Sequence, residues 1–166
     1  MSTPPPVVLE LSRLEATHLS GLVGQFAELL AGAAASDRRD PAFERLSPDA
    51  YPDDPEAGRE FRALTEGDLR DGRIADAALV QQSLADAADL NDVEQDDPRL
   101  LEERSIVLDP DGVRAWLRTL AAIRLVLATR LGIDEDDHHA DGDPRFGIYD
   151  WVGYRLDGLV RAIDRP

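Results

Sequence analysis

The sequence predicts an all-α fold: a single-domain bundle of five or six helices around a central helix over residues 110–131. Three observations carry that expectation. Aromatic residues make up only 5% of the 166 residues while Ala and Leu are abundant, a balance that favours helices over sheets. Several long stretches repeat their apolar residues at helical spacing, and those stretches open on residues that cap helices well. A chain of this length fits one domain with a core of ordinary size. Residues 7–165 are read as that domain and residues 1–6 as a disordered or polyproline-like tail, because Pro4, Pro5 and Pro6 donate no backbone hydrogen bonds.

Val7 to Leu11 reads as a short extended run. Ser12 and Glu15 then form an S-x-x-E capping box, opening a helix to about Ala35 whose core face carries Leu19, Leu22, Val23, Phe26, Leu29, Leu30 and Ala33. From Ser36 to Pro55, repeated X-Pro steps leave room only for a helical turn such as Pro41 to Leu46. Asp54 and Pro55 start a short helix to about Leu64, anchored by Phe61 and Leu64. Thr65 with Asp68 recaps the chain, and a further helix runs to about Leu90 with Leu69, Ile74, Ala77, Val80 and Leu84 facing inward. Asn91 to Pro98 is the clearest exposed loop. Ile106 to Asp109 echoes Val7 to Ser12, and pairing of the two runs would make a minimal two-stranded ribbon.

The central helix has both end signals, Asp109 with Pro110 at its start and Gly132 at its stop. At about 100° per residue, Val113, Trp116, Leu117, Leu120, Ile123, Leu127 and Leu131 share one sector. Arg124 projects into that apolar sector. Either its stem lies along the core with the head in solvent, or a carboxylate from another helix holds it in a partly buried ion pair, with Asp150 and Asp157 as the candidate partners. After an acidic loop, Asp143 and Pro144 cap the last helix, with Ile148, Val152, Leu156, Leu159 and Ile163 as its core stripe.

Charge and residue usage exclude much chemistry. The net charge is -16, every one of the 18 basic residues is Arg, and they are spread along the chain, which disfavours nucleic acid as a partner. An acidic surface favours solubility and a basic protein partner. The absence of Cys and Lys removes thiolate nucleophiles and metal sites, Schiff-base chemistry and the phosphate-loop lysine. No apolar run is long enough to span a membrane and the start lacks the pattern of a secretory signal, so the expected location is cytoplasmic.

Three blocks, LSPDAYPDDPEAGREFRALTEGDLR, LDPDGVRAWLRTLAAIRLVLATRLGI and YDWVGYRLDGLV, resemble in that order an actinobacterial family of unknown function, DUF2017. The resemblance covers roughly residues 7 to 163. It implies a bacterial cytoplasmic helical protein with a link to Clp-type proteolysis, because the family's gene often lies beside that of the adaptor ClpS. The family has no accepted catalytic motif, so it carries over no functional residues.

Glu15 with His18 and Glu135 with His138 give two E-x-x-H spacings, the pattern of di-iron carboxylate bundles. Glu15 is already explained as a cap, Glu135 lies beyond the Gly132 stop, and only Glu28 offers a further inward glutamate. His138 and His139 among Asp134, Asp136, Asp137, Asp141 and Asp143 offer a weak divalent-cation loop without the EF-hand order. A solvated charge run accounts for both, so no metal or cofactor is expected. Arg114 and Arg118, four apart on the polar face of the central helix, suit an anion or a carboxylate-bearing partner, or else ordinary surface ion pairs. Trp151 projects off the core stripe of the last helix, on the same side as Gly147 and Gly158, which suggests close approach by another surface. Either the Pro-rich segment around Tyr51 covers it, or the three residues form a partner or self-association surface. The leading functional expectation is a non-enzymatic protein-protein interaction or regulatory protein. The alternative is a metal-binding protein or enzyme using the His-bearing acidic loop.

Overall fold

The computed structural model describes residues 4–33, 40–47, 50–133 and 138–165. Strand β1 (Val7–Ser12) pairs antiparallel with strand β2 (Glu103–Leu108), Val7 opposite Leu108 and Ser12 opposite Glu103. The expected ribbon therefore forms, and its second strand begins earlier than its β-branched residues signalled. Helix α1 (Arg13–Ala33) leaves β1 without a loop. The capping box makes that junction: the Glu15 amide donates to Ser12 Oγ at 3.2 Å, and the Ser12 amide donates to Glu15 Oε2 at 3.1 Å.

Helix α4 (Pro110–Leu131) is the central element and has the bounds its end signals gave. Asp109 accepts the Gly112 amide at 2.7 Å, and Gly132 closes the helix at φ 70. Nothing crowds a Cβ built on Gly132, so Gly132→Ala is expected to cost only the left-handed backbone conformation, about 1 kcal/mol. Chemical denaturation measures it. Trp116, Leu120, Ile123 and Val126 of α4 are buried against the core that α1 supplies through Leu19, Val23, Phe26 and Leu30. Helix α2 (Pro41–Leu46) is fastened to α4 by polar contacts: Arg45 donates to Thr129 Oγ1 at 3.2 Å, and Arg130 grips Asp40 through both carboxylate oxygens at 3.0 and 2.5 Å. The Arg130 hydrogen bonds hold the Asp40 carboxyl below its ordinary pKa.

Two regions depart from the sequence expectation. Helix α3 (Pro55–Leu84) is one 30-residue helix, not two. Thr65 does not cap; its hydroxyl turns back onto the Phe61 carbonyl at 2.9 Å, which satisfies it inside a continuous helix. Phe61 and Leu64 are not anchors but lie 45% and 80% exposed, and Leu69 is exposed as well. The inward face is carried by Ala77, Val80 and Leu84, and the helix ends at Leu84, short of Leu90. Helix α5 (Gly147–Ile163) is the second departure. Asp143 caps a separate 3-10 turn, Pro144–Phe146, through the Arg145 amide at 3.0 Å. The helix is then rotated from the expected stripe: Tyr149, Val152 and Leu159 are buried while Ile148 and Ile163 are exposed. Tyr149 claims the inward position because its ring fills a small cluster with Ala128 and Ile133, and Ile148 lies about 100° away from it.

Candidate functional site

Trp151 is spent inside the chain. It packs partly buried against the main core, and its indole Nε1 donates to Glu15 Oε1 at 3.3 Å. Arg155, one turn further along α5, pairs with the same carboxylate oxygen. Burial pulls the Glu15 carboxyl upward, but the Arg155, Ser12 and Trp151 hydrogen bonds and the Arg155 charge outweigh it and hold the pKa below its ordinary value. The neighbour that meets Trp151 is therefore the start of α1, whereas the sequence pointed to the segment around Tyr51. Gly147 and Gly158 also differ from expectation: a Cβ on either would meet no atom within 4 Å, so neither marks a close approach within the chain. The tight position is Gly153, where a Cβ would lie 2.9 Å from Arg124 Nε.

Arg124 explains that glycine. Its guanidinium lies over the Tyr149 ring, 4.3 Å from the centroid, a cation–π seat that a side chain at 153 would push into. The expected ion pair of Arg124 with Asp150 or Asp157 is not formed. Asp150 Oδ1 instead meets His139 Nε2 at 2.7 Å, and Asp157 is exposed. Helical periodicity placed Arg124 in the apolar sector but could not show that its guanidinium would lie over the Tyr149 ring.

Arg114 and Arg118 are matched locally. Arg114 pairs with Asp111 one turn back, and Arg118 lies 3.7 Å from Asp76 of α3. Both border an open groove of 640 Å³ that Leu79 and Val107 also line, and its opposite charges offset one another. The E-x-x-H residues are not brought together: Glu15 serves the cap and α5, while His18 and Glu28 are exposed. Asp134 to Asp137 of the acidic loop, with Glu135, lie outside the described residues. Among the described residues, no three His, Asp or Glu side chains gather in a way that could hold a metal ion.

The surface that sequence reasoning missed is the first half of α3. The Phe61 ring stands edge-on to Tyr51 at 5.9 Å with an interplanar angle of 76°, and Leu64 follows one turn along. At about 100° per residue, Phe61, Leu64 and Leu79 share a sector roughly 150° away from that of Ala77, Val80 and Leu84. One helix thus carries two apolar faces, one packed and one open. Between Asp53 and Asp71 there are seven carboxylates against three arginines, and Arg62, one of the three, is turned to the Ser47 carbonyl. Glu60, Asp68 and Asp71 fall beside or within the open stripe. The signal was present in the sequence as two phases of apolar residues. Splitting the helix at Thr65 hid it.

A family model described as a domain of unknown function, DUF2017, matches residues 1–163. No curated protein and no solved structure matches the chain.

Proposed function

The chain belongs to the DUF2017 family, a domain of unknown function, and on that premise we propose that it is a non-enzymatic, cytoplasmic protein-binding module. Its docking face is the open stripe of α3 around Tyr51, Phe61 and Leu64, and its ligand is a basic amphipathic helix of a partner protein. The observation that carries this reading is Leu64, 80% exposed beside a half-exposed aromatic pair on a regular helix. Clustered exposed apolar side chains with a polar rim are the mark of an interaction surface. The acidic rim chooses the partner: lysines or arginines flanking an apolar stripe would neutralise Glu60, Asp68 and Asp71. The same rim disfavours a second copy of this chain, because two acidic edges would face each other across the contact. A role in regulated Clp-type proteolysis belongs to this proposal, on the gene neighbourhood that the family resemblance implies. Among the described residues no helix is long and apolar enough to cross a membrane.

Leu64→Asp tests the face, since a position this exposed takes the change without unfolding the helix. Titration of a fluorescent Lys-rich amphipathic helix is expected to give saturable binding that weakens at least about tenfold in the variant, with melting temperature unchanged. A Glu-rich helix of the same apolar pattern is expected not to bind. Equal affinity of parent and variant, or equal affinity for both helices, overturns the proposal.

A further inference from the structure

We propose that the cleft between β1 and the C-terminal half of α5 binds an extended acidic peptide segment, laid beside the Val8 end of the β1 edge. This site is separate from the α3 face and takes a ligand of opposite charge. The cleft encloses 260 Å³ and is lined by Val8, Tyr154, Arg155, Gly158, Arg161 and Arg165; the Glu10 carboxylate, which also borders it, accepts from Ser105 Oγ at 2.5 Å.

Three features select the ligand. The first is the strand edge. Among the described residues β1 pairs only with β2, and no strand lies beside its other edge. The Glu10 carbonyl points out of the ribbon, where Arg155 donates to it at 3.4 Å, and the Ser12 amide points the same way to Glu15. Alternation along an antiparallel strand then turns the amide and carbonyl of Val8 to this same edge, inside the cleft. An edge of this kind pairs with an extended peptide.

The second feature is unmatched positive charge. Arg161 and Arg165 are exposed and make no ion pair among the described residues, although the chain carries 34 acidic residues. Arg161 lies in the last turn of α5 and Arg165 two residues beyond the helix end at Ile163, and both line the cleft. Peptide carboxylates suit these two guanidinium groups, which bind carboxylate through paired donors. The third feature is space with apolar walls. A Cβ on Gly158 would meet nothing within 4 Å, while Tyr154 is 66% and Val8 49% exposed beside it. Backbone edge, paired cations and apolar walls together suit a peptide, whereas an inorganic anion would use only the cations.

The test titrates a fluorescein-labelled peptide of alternating Glu and Val into the full chain, with a Gln/Val peptide as the neutral control. Gly158→Leu fills the cleft from an open helical position, and the double variant Arg161→Gln/Arg165→Gln removes the cations while keeping side-chain length. Each is expected to weaken binding at least about tenfold, the Gln/Val peptide to bind at least about tenfold more weakly than the Glu/Val peptide, and Leu64→Asp to leave binding unchanged. Thermal melts identify any variant that fails to fold. Should Gly158→Leu be destabilised, the arginine pair alone decides. Absence of saturable binding, equal affinity of the arginine variant, or competition by free glutamate as effective as that of unlabelled peptide overturns the proposal.

Discussion

Trp116→Ala is expected to destabilise the fold by about 3–5 kcal/mol and lower the melting temperature by roughly 10 °C or more. Trp116 is 2% exposed and stands where the central helix α4 meets α3. Its indole is packed within the main core cluster, so truncation removes buried apolar contacts and leaves a cavity. Its Nε1 also donates to Ser83 Oγ at 2.9 Å, so the donor is satisfied within the core boundary. Ser83→Ala is expected to cost about 1 kcal/mol by leaving that N–H without its partner. Urea denaturation followed by circular dichroism measures both. A Trp116 variant within about 1 kcal/mol of the parent would show that the core is not organised around α4.

Trp151→Ala is expected to cost about 2–3 kcal/mol without changing the mass measured by sedimentation. The indole is partly buried, closes α5 onto the α1 capping box, and donates to Glu15. A normal melt combined with loss of a dimer would instead make Trp151 an interface residue. The carboxylate at the centre of this junction gives a pH signature. The folded pKa of Glu15 is lowered, so its contribution is present above the ordinary glutamate range and is lost as the pH falls through the folded value. Glu15→Gln is therefore expected to be less stable than the parent at neutral pH, with the difference closing in acid. A difference independent of pH would mean that the ion pair with Arg155 does not contribute.

The elements that carry local signals were legible in the sequence. Asp109 and Gly132 gave α4 its bounds, and Ser12 with Glu15 fixed the exit from β1, because caps are decided by the residues that make them. The ribbon was legible through two apolar runs that both lead into helices, although the register was not. What failed depended on tertiary choice. Thr65 satisfied a capping pattern, yet helix propensity across Ala63 to Asp68 and a back-bonded hydroxyl made continuation possible, and no sequence term weighs those against each other. On α5, Ile148 and Tyr149 compete for the inward direction, and the space beside Ala128 and Ile133 decides for the ring. Of the residues expected to matter, Gly158 opens on a cleft, whereas Trp151, Arg114 and Arg118 are engaged within the chain.

Amide chemical-shift mapping of the isotope-labelled chain with the Lys-rich amphipathic helix tests the docking face most directly, because it reports where the ligand sits. The proposed face requires the largest shifts along α3 around Phe61 and Leu64 and at Tyr51, with α5 and the Val8 edge little changed. Shifts concentrated on α5 and β1, or spread evenly over every acidic surface, would contradict it.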